Sequence, residues 1–269
     1  PIRSARQRIN MAPADRKNKI LQPFRYQAGL SHEREKPLFF KRRLNMAYSI
    51  AQPRRGLVMK SEKFSFYSHL AGALMGLAAG IVLLYQTPSG TLERLVVIVY
   101  MFSVCWLFSA SAIYHAQKRE ENGINIWRKF DHFAIFVMIA GTYTPLCYYT
   151  LSGSMRTGII AAQWSLVVLG GIFKFVYLKA PRWLYTSIYI LMGWMAVIPM
   201  RDLVHSMSPL SFIFLVSGGV VYTVGAVIYA KKNPNPFPGI FGFHEIFHLL
   251  IVIAAGLQFA SVFLVVSGG

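Results

Sequence analysis

The last apolar run of the chain, Ile240–Val266 (IFGFHEIFHLLIVIAAGLQFASVFLVV), has its ionisable groups, His244, Glu245 and His248, in its first third and none afterwards. Its 27 residues exceed the roughly 20 that cross a hydrocarbon core as a helix, so the run reads as a transmembrane span. Six similar runs precede it: Phe64 to Tyr85, Leu95 to Tyr114, Phe130 to Tyr149, Thr157 to Leu178, Trp183 to Met200 and Leu210 to Ala230. They are continuously apolar, without the alternation of a β-barrel strand. The fold class that follows is all-α, a seven-transmembrane helix bundle.

Short polar breaks separate the runs: Thr87-Pro88-Ser89-Gly90, Lys118 to Gly123, Ser152-Gly153-Ser154, Lys179-Ala180-Pro181-Arg182 and Asn233 to Gly239. Connections this short make neighbouring helices antiparallel within one bundle. Gly72, Gly76 and Gly80 recur at four-residue spacing on one face of the first span and predict a close packing seam. Ten Lys and Arg flank the spans on the side of the N-terminus, and Arg94, Arg156 and Arg201 stand on the other. That asymmetry places the N-terminus in the cytoplasm and the C-terminus outside.

The whole chain has 269 residues, 55% apolar and 14% charged, with a formal charge of +18. A soluble domain carries about a quarter charged residues. Residues 1–58 hold fourteen Lys and Arg against Asp15, Glu33 and Glu35; residues 59–269 hold fourteen against seven acids. The first segment is therefore expected to be a basic, disordered extension of the seven-helix domain 59–269. Met59, followed by Lys60-Ser61-Glu62-Lys63, reads as a natural start. The leader has no apolar core of signal-peptide length, and Pro13, Pro23, Pro37 and Pro53 together with little serine set it apart from a transit peptide. Because topology accounts for the basic excess in the body, nucleic acid is not an expected partner. Cys105 and Cys147 lie inside apolar runs and act as small hydrophobes.

Ionisable groups in a span are costly and usually face the bundle interior. His244 and His248, four apart, share one helix face and suit two ligands of one metal. The topology brings His115, at the end of the second span, to the same depth. Three imidazoles and an open fourth position describe catalytic zinc, which acidifies a bound water and polarises a carbonyl. Zn²⁺ suits imidazoles without a thiolate cluster or carboxylate shell. Asp131, opening the third span, is the expected partner of the metal water or of an imidazole N–H, and Ser111, one turn before His115, a substrate or water contact. His244-Glu245-Ile246-Phe247-His248 also matches the HExxH pattern, in which the glutamate is a general base. Glu245 nevertheless points about 100° away from His244 and fits a helix cap equally well. His69 and His132 are expected to make interhelical hydrogen bonds, and His205 to sit solvated in an outer loop with Arg201 and Asp202.

Taken together, Glu62 with Ser68-His69-Leu70-Ala71-Gly72, Ser111-Ala112-Ile113-Tyr114-His115, Lys129-Phe130-Asp131-His132, Gly141-Thr142-Tyr143-Thr144-Pro145 and His244-Glu245-Ile246-Phe247-His248 resemble the haemolysin III branch of the progestin and adipoQ receptor family. The resemblance covers nearly all of residues 59–269. It implies a seven-helix fold with a cytoplasmic N-terminus, zinc ligands at His115, His244 and His248, a metal-water carboxylate at Asp131 and a serine at Ser111. Family members are related to alkaline ceramidases, which implies a zinc-dependent hydrolase acting on membrane-lipid amides, with a ceramide-like substrate. Ser65 stands where the family commonly has Asn, and some relatives carry Gln between the paired histidines.

The expectation is a multi-pass protein of the bacterial plasma membrane that hydrolyses a lipid amide or ester by a metal-activated water. Asp131 would orient that water, and Ser111 would support it or the oxyanion. The alternatives are a non-catalytic, zinc-stabilised receptor or regulator, and a pore-forming cytolysin. Seven continuous apolar spans argue against a secreted toxin.

Overall fold

The computed structural model describes residues 58–59, 62–118, 126–176, 181–237 and 241–268. The basic extension expected over 1–58 lies, as far as residue 57, outside the described residues. Eight α-helices follow one another among the described residues: α1 (Lys63–Gln86), α2 (Thr91–Gln117), α3 (Ile126–Thr150), α4 (Gly153–Val176), α5 (Arg182–Gly193), α6 (Met200–Ser206), α7 (Pro209–Lys231) and α8 (Phe243–Ser267). Six are long and apolar enough to cross a membrane, and the bent pair around α5 and α6 makes a seventh span. Leu74, Val168 and Ile213 are each more than half exposed on the outside of the bundle. Inside, buried small and polar residues such as Ser65, Ser103, Ser111 and Ser261 stand among large apolar ones such as Leu83, Tyr100 and Phe136, an arrangement suited to a lipid surround.

α1 packs on α2, α2 on α3, α3 on α4 and α7 on α8; α5 packs on α7 and α3, and α1 closes onto α8. The glycine seam seats α1 on α2. A Cβ at Gly72 would come within 2.7 Å of the Phe108 ring, and one at Gly76 within 2.7 Å of Val104. Ser211 and Ser261 join α7 to α8, each hydroxyl donating to the other residue's carbonyl at 3.0 and 2.9 Å. α3 is the most enclosed span. It contains Pro145, whose missing N–H leaves one carbonyl of the preceding turn without its helical donor.

The fifth span is not the single helix that Trp183 to Met200 suggests. α5 gives way to a 3₁₀ turn at Trp194–Val197, and the chain resumes as α6 after a bend of 57°. Gly193 and Pro199 bracket the break; glycine weakens a helix, and proline removes a donor and clashes with the turn before it. His205 correspondingly lies in α6 rather than in a loop, exposed, with Nδ1–H donating to the Arg201 carbonyl at 2.7 Å.

Candidate metal centre

Three helices converge where α1 and α8 begin and α2 ends. The last turn of α2 carries His115, the first two turns of α8 carry His244 and His248, and α1 supplies Glu62 at its N-cap and His69 two turns later. His115, His248, His69 and Glu62 are buried, and His244 is half-buried. The Nε2 atoms of His115 and His248 stand 3.0 Å apart, and those of His248 and His244 3.1 Å apart. One ligand atom from each of the three lies within 4.8 Å of the other two.

The outer ring nitrogens determine what this cluster can hold. His115 Nδ1 meets Glu62 Oε2 at 2.6 Å, and the other carboxylate oxygen accepts from Lys118 Nζ at 2.7 Å. A carboxylate only accepts, so His115 Nδ1 carries a hydrogen, and the uncharged form of the ring has its lone pair at Nε2. His248 Nδ1 lies 2.7 Å from His69 Nε2. Assigning the donated hydrogen to His248 Nδ1 leaves its Nε2 a lone pair as well. With the hydrogens so placed, the Nε2 lone pairs of His115 and His248 face each other, an arrangement that a cation would relieve. The donor set therefore fits a metal ion bound by imidazole, with Glu62 and His69 orienting the rings from behind. Burial opposes ionisation of Glu62, but the hydrogen bonds from His115 and Lys118 outweigh it and hold its carboxyl down at about 2. With its folded value depressed from 4.5, the carboxylate contributes fully above pH 4.5 and loses that contribution as the pH falls through about 2.

Asp131, on the first turns of α3, is half-buried and lines the same cavity. It meets His115, Lys174 and Arg128 electrostatically. The carboxylate behind His115 is Glu62. Ser111 is buried one turn before His115; the Asp131 carboxylate is its electrostatic neighbour, but its Oγ closes no well-formed hydrogen bond. Ser65 Oγ is likewise buried without a partner. His132 accepts at Nδ1 from Lys174 Nζ at 2.9 Å, an interhelical contact away from the cluster. Glu245 Oε2 accepts from the Gly242 N–H at 2.8 Å, capping α8.

Sequence reasoning assigned no role to Glu62 or Lys174. Glu62 was discoverable, since it precedes His69 by seven residues, two helical turns, and so shares its face. The centre opens into a cavity of about 1150 Å³ that runs past Leu107, Met138 and Ile251 to Tyr143, Leu203 and Gln258.

Fold and site together define a class, the multi-pass α-helical membrane proteins with a buried histidine cluster able to hold a metal at one end of the bundle. Residues 57–259 match the family described as haemolysin-III related, and the chain belongs to that family. Haemolysin-3 of Bacillus cereus is 30% identical over 206 residues, 76% of this chain and 91% of the relative. The adiponectin receptor protein of Drosophila melanogaster is 25% identical over 223 residues, 75% of this chain and 50% of that protein. The progestin and adipoQ receptor-like protein 1 of Caenorhabditis elegans is 29% identical over 157 residues, 52% of this chain and 36% of that protein.

Proposed function

We propose that the protein is a zinc-dependent hydrolase of amide or ester bonds in membrane lipids. The observation that carries the reading is the convergence of His115, His244 and His248 beside an acyl-sized apolar cavity that also admits Asp131 and Ser111. Three imidazoles without a thiolate favour Zn²⁺. When bound there it would supply Lewis acidity, making a water more acidic and a carbonyl more electrophilic. Glu62 and His69 hold the imidazoles in the ligating tautomer, and Asp131 accepts the proton of the attacking water and returns it to the departing nitrogen or oxygen as its bond to the carbonyl carbon breaks. Ser111 donates to the carbonyl oxygen as charge develops on it. The apolar run of the cavity takes the acyl chain and keeps bulk water from the reacting bond. With the N-terminus in the cytoplasm, as the flanking charges favour, the centre lies at the cytoplasmic face; the Bacillus relative supports a bacterial plasma membrane.

The second reading is a metal-stabilised, non-catalytic receptor or regulator, favoured by the way the cluster ties α1, α2 and α8 together. Purified protein separates the two. Asp131→Asn should retain stoichiometric zinc while hydrolysis of ceramide and related lipid amides falls by about a thousandfold, in the range of a lost general base. Zinc retained with no lipid turned over by the wild type supports the regulator instead.

A further inference from the structure

Away from the histidines, the cavity is lined by two polar atoms that have no partner among the described residues. Gln258, on α8, is 6% exposed. Its Nε2 donates to the Leu215 carbonyl on α7 at 3.0 Å, and a carbonyl only accepts, so the amide is fixed with Oε1 turned away from α7's backbone. That oxygen is buried and accepts from nothing. Gly218 makes the room: a Cβ there would come within 2.7 Å of Gln258 Nε2. Tyr222 follows Gly218 by one turn of α7, lines the same cavity and also has its hydroxyl buried without a partner. Side chains on a helix lean towards its N-terminus, so the Tyr222 ring leans back to the level of Gly218 and Gln258. Tyr100, on α2, is an electrostatic neighbour of Tyr222, but its own hydroxyl is buried and unpartnered as well. Polar atoms left so within a span are costly unless a ligand meets them.

The geometry points to a lipid whose acyl chain carries a hydroxyl group as the ligand of this cavity. A hydroxyl both donates and accepts: it donates to Gln258 Oε1 and accepts from the Tyr222 hydroxyl. Gln258 follows His248 by ten residues on one helix, about 15 Å at the rise of an α-helix. An extended chain covers that distance in about a dozen bonds. With the carbonyl at the histidines, the hydroxyl therefore falls near the twelfth carbon. On the way the chain passes the apolar side chains of Leu107, Met138 and Ile251. The inference names the substrate class of the proposed hydrolysis, lipids with a hydroxylated acyl chain, and rests on that reading for the reaction alone.

Binding is testable without turnover. The full chain, purified into phosphatidylcholine nanodiscs, is titrated with three eighteen-carbon fatty acids, one plain, one hydroxylated at the twelfth carbon and one at the seventh, and bound ligand is read by native mass spectrometry. The acid hydroxylated at the twelfth carbon should bind about tenfold more tightly than the plain acid, the worth of two ordinary hydrogen bonds. The isomer hydroxylated at the seventh carbon sets its hydroxyl against apolar walls and should bind no better than the plain acid. Tyr222→Phe should remove most of the preference without lowering the melting midpoint of the ligand-free protein, because the hydroxyl makes no bond there. Gln258→Met should remove it too, and Tyr222→Phe serves if Gln258→Met fails to fold. Tyr149→Phe deletes another buried, unpartnered hydroxyl, outside the cavity lining, and should leave the preference unchanged. Equal affinity for the plain acid and the acid hydroxylated at the twelfth carbon overturns the proposal and makes the pair a water site. The same preference for both hydroxylated isomers, or an equal loss from Tyr149→Phe, overturns it as well. If the preference is absent while plain lipid amides are hydrolysed, the hydroxyl subsite falls and the hydrolase stands; if it holds while no lipid is turned over, the ligand class stands without the reaction.

Discussion

At one end of the cavity Glu62, His69, His115 and His248 are linked through side chains that carry charge or compete for one proton. At the other, neutral side chains attend to the backbone of a broken helix. Tyr143 OH donates to the Gly193 carbonyl at 2.7 Å and accepts from the Ala196 N–H at 2.6 Å, and Gln163 Nε2 donates to the Met192 carbonyl at 2.9 Å. Both ends answer the same demand, because polar groups away from water need partners. The neutral end meets much of it within the chain, although the Oε1 atoms of Gln163 and Gln258 stay without a partner. The charged end brings nitrogens of three imidazoles to one point that could hold a cation. Shape is held at one end of the cavity, and the candidate metal centre lies at the other.

The sharpest way to break the comparison is to remove the cation's ligands. His248→Ala deletes a donor and the partner of His69 together, and should reduce bound zinc, measured by elemental analysis of purified protein, from one equivalent to near zero. Lipid hydrolysis should fall to background. Zinc and turnover both retained would mean that the centre is not where the metal acts. Glu62→Gln is milder. The amide can still accept from His115, but it lacks the charge that fixes the ring, and loss of such a supporting contact typically costs 10–100-fold in metal affinity. Competition with a chelator should show a drop in that range with the ligands intact.

Tyr143→Phe tests the other end. It removes a donor and an acceptor at once and leaves the half-buried Ala196 N–H without its partner, a cost of about 1–2 kcal/mol. The midpoint of thermal unfolding in detergent should fall by several degrees while zinc content stays at one equivalent. A loss of zinc as large as that from Glu62→Gln would show that the two ends are coupled through α3 and would dissolve the distinction between them.

The legible parts of this molecule were those written in periodicity. Apolar runs announced the spans, and the four-residue steps of Gly72, Gly76 and Gly80 announced the seam between α1 and α2. Helical spacing and topology also sufficed to bring His115, His244 and His248 to one end. Less legible was what stands behind them. Glu62 precedes its apolar run and looks like any charge flanking a span, while Lys174 is absorbed into the hydropathy of α4. The break in the fifth span was hidden because hydropathy is indifferent to bending. Gly193 and Pro199 mark it locally, but its backbone groups are met by the side chains of Tyr143 and Gln163, which come from α3 and α4.

The smallest expected effect separates two readings of one motif. Glu245 occupies the position that the HExxH pattern gives to a general base, yet its Oε2 accepts the Gly242 N–H at the start of α8. An exposed backbone donor at a helix start is worth about 1 kcal/mol when capped. Glu245→Ala should therefore lower stability by that amount, a few degrees or less in a melting experiment, and leave zinc content and turnover within about threefold of wild type. Glu245→Gln, able to accept the same hydrogen bond, should be closer still. A general base would behave otherwise: both substitutions would cut turnover by 10² to 10⁴-fold without moving the melt. The glutamate inside the histidine motif would then belong to the chemistry, and Asp131 would lose the role assigned to it. Retained turnover in both variants leaves Asp131, on a separate helix and facing the same cavity, as the carboxylate placed for the proton.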